Sequence, residues 1–211
     1  VAIAPTAEAE FMIAEFRVLS MCVLLLSPGL AARADVATAV VFCSACHGAD
    51  GISALPMVPT IAGLSALVIE NAVEDYRSGG RICPSTAGAT TRQMLDMCAP
   101  ARGVADADIP GVAEHFANLT WKPAVQETDP AAAARGEALH DAECEICHTS
   151  DGRNAADDAS ILAGQHLEYL RLVMSEYAAG LRLQPAPMEA KMTRLSPDDV
   201  EALAQFYASQ H

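Results

Sequence analysis

Cys43-Ser44-Ala45-Cys46-His47 and Cys144-Glu145-Ile146-Cys147-His148 are two copies of one pattern, CxxCH, in a chain of 211 residues. The spacing has a mechanical reason. Two thiols three residues apart on one helical turn can form thioethers to the two vinyl groups of one porphyrin. The histidine that follows then sets an imidazole nitrogen on the iron from the same side. A zinc ribbon would need four converging cysteines, whereas each pair here has its own adjacent histidine. The sequence therefore predicts two covalently bound haem c groups, attached through Cys43, Cys46, Cys144 and Cys147, with His47 and His148 as iron ligands.

Outward from the motifs, the rest of the chain repeats as well. At a constant separation of 101 positions, Gly51 matches Gly152, Ala62-Gly63 matches Ala163-Gly164, Tyr76 matches Tyr177 and Gly79 matches Gly180. Arg81 with Arg182 and Pro84 with Pro185 continue the register. It then shortens to 91, pairing Met97 with Met188, Asp108 with Asp199, Ala113 with Ala204 and Ala117 with Ala208. The chain is a duplication whose first half carries a ten-residue insertion between Pro84 and Met97.

Each half reads as three helices: one running into CxxCH (36–46 and 131–147), one before the Tyr/Gly pair (65–78 and 166–179), and one with an acidic start at Asp106/Asp108 or Ser196-Pro197-Asp198-Asp199. Few aromatic residues and many Ala, Leu, Glu and Met favour helix over sheet. The expected fold is all-α: two tandem class I cytochrome c-like domains, 35–120 and 131–211, joined by a proline-bounded linker at 121–130. Domains this small are marginal on apolar burial alone, so a buried cofactor in each helps to explain their stability.

Residues 1–34 are expected to be a cleaved signal peptide. Val18 to Ala32 is an apolar run around Val23-Leu24-Leu25-Leu26, followed by Ala32-Arg33-Ala34, a small-residue cleavage site before Asp35. The run is too short and too broken by Pro28-Gly29 for a membrane span. A periplasmic location is thus expected, with no membrane insertion after cleavage. Three of the 27 acidic and two of the 13 basic residues lie in this segment, so the remainder carries a net charge of −13. Such a surface disfavours nucleic acid and anionic membranes, and suits a partner with a basic docking patch or simply solubility.

A sixth iron ligand is expected from methionine, the usual partner of histidine in electron-carrying c haems. The repeat selects Met97 and Met188, each seven residues before the apolar residue that opens the third helix, Val104 and Leu195. Met94 and Met192 are the alternatives. Both irons would then be six-coordinate, leaving one-electron transfer as the expected chemistry. Arg81 and Arg182 are candidates for propionate contacts, or else exposed arginines at helix ends. A backbone carbonyl near Pro59 is the candidate acceptor for the His47 N–H, with Ser160 at the equivalent place in the second half. Cys83 and Cys98 bracket the insertion and, in an oxidising compartment, are expected to form a disulfide that holds Met97 against the first haem; the alternative is a thiolate ligand to that iron. His140, His166, His115 and His211 have no repeat partner and are read as structural or exposed, and Trp121 as packing between domains.

The second half resembles the dihaem cytochrome subunit of flavocytochrome c sulfide dehydrogenase, through Leu139-His140-Asp141, CEICH at 144–148, Ile161-Leu162-Ala163-Gly164-Gln165, Tyr169-Leu170, Pro187-Met188-Glu189-Ala190-Lys191-Met192 and Phe206-Tyr207-Ala208-Ser209-Gln210. The small soluble dihaem cytochromes that feed terminal oxidases share several of these elements. The first resemblance implies a flavoprotein sulfide dehydrogenase subunit as electron donor and a separate downstream acceptor. The second implies a free dihaem carrier between respiratory complexes. The insertion with Cys83 and Cys98 departs from the first family, and no dinucleotide-binding GxGxxG opens a helix here.

Overall fold

Short, well-capped helices carry the duplication into three dimensions. The computed structural model describes residues 35–83 and 97–211; residues 1–34, expected as a signal peptide, and residues 84–96, which include the insertion and Met94, lie outside the described residues. Helix α1 (Val36–His47) starts where the Asp35 carboxylate accepts from the Ala37 N–H, and ends at Gly48. Helix α2 (Ala66–Ser78) is capped by the Ser65 hydroxyl and stops at left-handed Gly79. Short α3 (Cys98–Gly103) and α4 (Ile109–Ala117) complete the first set. The second set is α5 (Pro130–Leu139), α6 (Leu167–Ala178), short α7 (Ala186–Met192) and α8 (Pro197–Ala208), the last opened by a Ser196/Asp199 capping box. The described residues contain no strand.

The expected helix through 147 differs in one respect. Helix α5 stops at Leu139, and His140–Cys144 is a π-helical segment closed by the Glu145 N–H on the His140 carbonyl at 2.9 Å. Single π turns of this kind cluster at functional sites. This one delivers the chain into the second CxxCH.

Hydrogen bonds repeat as faithfully as residues. The Gly51 carbonyl accepts from Ile61 and Ala62 N–H, and the Gly152 carbonyl from Leu162 and Ala163 N–H. Gly63 donates to the Phe116 carbonyl at 2.9 Å and Gly164 to that of Tyr207 at 2.7 Å. Two cores follow. Leu64, Ile69, Val104, Val112 and Phe116 fill the first, joined by Ile161 from the second half; Leu170, Val173, Met174, Leu203, Phe206 and Tyr207 fill the second. Trp121 packs at the rim of the first core, beside Gly63.

The two helix sets form one body over Ala34–His211, locked by polar contacts that cross between them. Gln165, buried, accepts from the Thr60 N–H and donates to the Thr60 carbonyl, both at 3.0 Å. His166 donates to the Ser53 carbonyl at 2.9 Å, and the Tyr169 N–H to that of Pro56 at 3.1 Å. Gln126 in the connecting stretch donates to the Gln165 carbonyl and accepts from the Leu167 N–H. Gln165→Ala strands two buried backbone groups, so it is expected to cost about 2–6 kcal/mol at roughly 1–3 kcal/mol for each unsatisfied group. Chemical denaturation of the holoprotein checks this; a loss under about 0.5 kcal/mol would show that water replaces the side chain.

Candidate functional site

Helix α1 presents its last turn so that the Cys43 side chain is half-buried, Cys46 exposed and His47 buried. The His47 Nδ1 lies 2.8 Å from the Pro59 carbonyl oxygen. A carbonyl only accepts, so Nδ1 carries the proton and Nε2 keeps its lone pair. Burial pushes the pKa of this imidazole down, which keeps the ring in the neutral form that ligates metal. Burial likewise pushes the Cys43 thiol up. Neither Cys43 nor Cys46 is in a disulfide.

The second motif repeats the donor set with a different support. Cys144 is half-buried, Cys147 exposed, and burial lowers the His148 pKa. The His148 Nδ1 is buried with no hydrogen-bond partner among the described residues, so the Pro59 contact has no counterpart at Ser160. Thr149 stands where the first motif has Gly48. The chain turns instead through Ser150 and Asp151, both at φ 58°. The Asp157 carboxylate fixes this turn, accepting from the Thr149 N–H at 2.7 Å and from its hydroxyl at 2.8 Å.

Met97 caps the start of α3, directly before Cys98. Cys83 and Cys98 form a disulfide with Cα atoms 5.8 Å apart, and the Arg102 guanidinium lies 3.7 Å from the Cys83 sulfur. In the second set Met188 sits on α7 at the edge of the core, whereas Met192 is buried inside it. Met192 thus fills the core, and Met188 is half-buried against its edge.

The two arginines are not exposed at helix ends. The Arg81 Nε meets the Asp75 carboxylate at 3.3 Å with its guanidinium over the Tyr76 ring. The Arg182 Nε meets Glu176 at 2.7 Å, its guanidinium over Tyr177, and donates to the Tyr76 hydroxyl at 3.3 Å. This pseudo-symmetric cluster lies between the helix sets, where the Leu183 N–H also donates to the Gly80 carbonyl.

Two histidines without a repeat partner have structural places that the sequence did not reveal. His166 joins the two sets, and His140 is fully buried beside the second motif. Only the absence of a match in the repeat signalled them.

Two CxxCH donor sets in an all-helical fold, with His47 buried and His148 half-buried and both held toward the neutral form by desolvation, define a class I c-type cytochrome with two covalently bound haem c groups. The family described as "Cytochrome C oxidase, cbb3-type, subunit III" matches residues 131–206. The crystal structure of reduced recombinant cytochrome c4 from Pseudomonas stutzeri superposes with a TM-score of 0.66 at 28% identity, covering 84% of this chain and 99% of that one. A cytochrome c-554(548) of Halomonas halodenitrificans is 34% identical over 76 residues, 36% of this chain and 82% of that protein. A thiosulfate dehydrogenase electron acceptor of Stutzerimonas stutzeri is 27% identical over 179 residues, 81% of this chain and 80% of that protein. The cytochrome subunit of sulfide dehydrogenase from Chlorobaculum tepidum is 36% identical over 80 residues, 38% of this chain and 62% of that protein. The chain belongs to the c-type cytochromes, and its likeness over both domains is to cytochrome c4. No described helix is long and apolar enough to cross a membrane.

Proposed function

We propose that this protein is a periplasmic dihaem electron carrier that accepts electrons from a sulfur-compound dehydrogenase on a separate chain and passes them to a downstream acceptor. The observation that carries the reading is that the likeness to a thiosulfate dehydrogenase electron acceptor runs through both domains. Cys43 and Cys46 would attach one haem and Cys144 and Cys147 the other, with His47 and Met97, and His148 and Met188, as the side chains that would ligate the two irons. When bound, each haem supplies one-electron exchange at its iron. Ligated in this way by two side chains, each iron would supply electron exchange rather than a site for oxygen or substrate. The Pro59 carbonyl orients His47 and strengthens it as a donor. Thioether ligation favours ferrous iron and raises the potential relative to bis-histidine ligation. Arg81 and Arg182 each give one N–H direction to a carboxylate and keep further donors for haem propionates.

A second reading, a fixed subunit of a flavoprotein sulfide dehydrogenase, is favoured by the 36% identity of one 80-residue stretch to such a subunit. Size-exclusion of native periplasmic extract, followed at haem and flavin absorbance, separates the two. A flavin-free haem peak, reduced by a separately added thiosulfate- or sulfide-oxidising enzyme, is the expected result. Co-elution with a flavin-containing subunit that reduces the haems on adding sulfide would establish the second reading instead. Failure of every such donor to reduce the haems would overturn both.

A further inference from the structure

Three positions differ together between the two copies of the duplication. Where the first domain has Ala39, Ser44 and Phe116, the second has His140, Glu145 and Tyr207. The structure joins these three into one chain of hydrogen bonds. The Tyr207 hydroxyl lies 2.8 Å from the His140 Nδ1, and the His140 Nε2 lies 2.6 Å from the Glu145 carboxylate. A carboxylate only accepts, so Nε2 carries a proton toward Glu145, and Nδ1 pairs with the Tyr207 hydroxyl. The Cys144 side chain packs against the core to which Tyr207 belongs. At the other end Glu145 accepts the N–H groups of Ser150 at 3.0 Å and Asp151 at 3.3 Å, the two left-handed residues after His148.

His140 is fully buried, and its ring packs against Phe206 and Tyr207. A buried polar side chain with both ring nitrogens engaged is strongly fixed in orientation. Its partner is fixed with it. The hydrogen bond from His140, with those from the Ser150 and Asp151 N–H groups, holds the Glu145 carboxyl below its ordinary pKa. Glu145 is therefore a carboxylate at neutral pH, inside the haem-attachment motif, one residue after Cys144. Its counterpart Ser44 is uncharged.

We propose that His140 is a positioning residue of the second haem site alone. Through Tyr207 and Glu145 it fixes the attachment motif and the turn after His148, and it places a negative charge beside one haem and not the other. A nearby anion stabilises ferric over ferrous iron, because the ferric site carries the extra positive charge. The network thus lowers the potential of the second haem relative to what the same site would have without it. The inference rests on haem attachment at Cys144 to His148, and not on the identity of the electron donor.

The test is a redox titration of purified holoprotein carrying both haems. Glu145→Gln keeps the shape and an acceptor oxygen while removing the charge; it is expected to move one of the two one-electron waves upward and leave the other in place. Tyr207→Phe installs the first domain's own residue, so folding is preserved. It should move the same wave by less, and add little on top of Glu145→Gln, as members of one network do. If Glu145→Gln prevents haem uptake at the second site, Tyr207→Phe decides the matter by its potential. Both waves unmoved, or both moved equally, in variants that retain two haems would overturn the inference while leaving electron carriage intact. A wild-type protein with one haem would instead sink the dihaem reading itself.

Discussion

Gly136→Ala is expected to destabilise the protein by about 2 kcal/mol or more, although alanine is the better helix former by about 1 kcal/mol. The reason is the crossing of α5 over α8. A methyl group at Gly136 would fall 2.0 Å from the Ala202 carbonyl oxygen, 2.5 Å from its carbon and 2.7 Å from the Phe206 Cβ. Two of these neighbours are backbone in the middle of a helix, and they cannot move aside as a side chain would. Overpacking of this kind costs about 1–3 kcal/mol and sometimes more, so it outweighs the gain in propensity. In a domain pair of this size about 2 kcal/mol lowers Tm by roughly 4–8 °C. Gly103, also helical, has nothing within 4 Å of the equivalent methyl. Gly103→Ala should therefore be neutral or stabilising by up to about 1 kcal/mol, which makes it the control. Equal stability of Gly136→Ala and the parent would mean that the two helices can separate at no cost, and that the contact does not fix the crossing.

The first domain solves the same crossing with the small residue on the other helix. There Gly111 on α4 lies against Val36 on α1, with a methyl-to-Val36 distance of 2.8 Å. Gly111 corresponds to Ala202, and Val36 to Glu137, the neighbour of Gly136. The duplication preserved the close approach and exchanged which helix permits it. Residue-by-residue matching of the halves does not find this, because the glycines themselves do not align.

That exchange explains which features the sequence made legible. The two haem sites depend on covalent chemistry within five consecutive residues, so CxxCH reveals them directly. The His47 contact with Pro59 was also accessible, because it joins a motif residue to a nearby proline loop. What stayed hidden were contacts between segments far apart in the chain. Gln165 with Thr60 spans 105 positions, Arg182 with Tyr76 spans 106, and His140 with Tyr207 spans 67. No periodicity encodes such pairs; only packing brings them together. The π turn at His140–Cys144 was hidden for a local reason, since its residues fit an α-helical pattern equally well. Arg81 and Arg182 were legible as a matched pair, but their burial against Asp75 and Glu176 required the second domain to be in place.

Replacing Cys83 and Cys98 by serine is expected to cost about 3 kcal/mol, the loop-closure value for cysteines separated by 15 residues. The more informative consequence concerns the first haem. Cys98 is the buried first residue of α3, and Met97 is the residue that precedes it. With the disulfide intact, the segment bearing Met97 is tied to Cys83, which follows closely on α2. Without it, the same segment runs directly into α3, a helix of six residues, and short helices are marginal unless held by tertiary contacts. If Met97 ligates the first iron as proposed, it should then leave that iron in a fraction of molecules, while ligation of the second iron by Met188 on α7 is unaffected. The measurement is the methionine-to-ferric-iron charge-transfer absorption of the oxidised holoprotein. Loss of up to half its intensity, with one of the two potentials shifted and the other unchanged, is the outcome expected if the disulfide secures the first axial ligand. Full retention of the band alongside the stability loss would separate the two roles, leaving the disulfide as a staple of the fold and Met97 held by the packing of α3 itself.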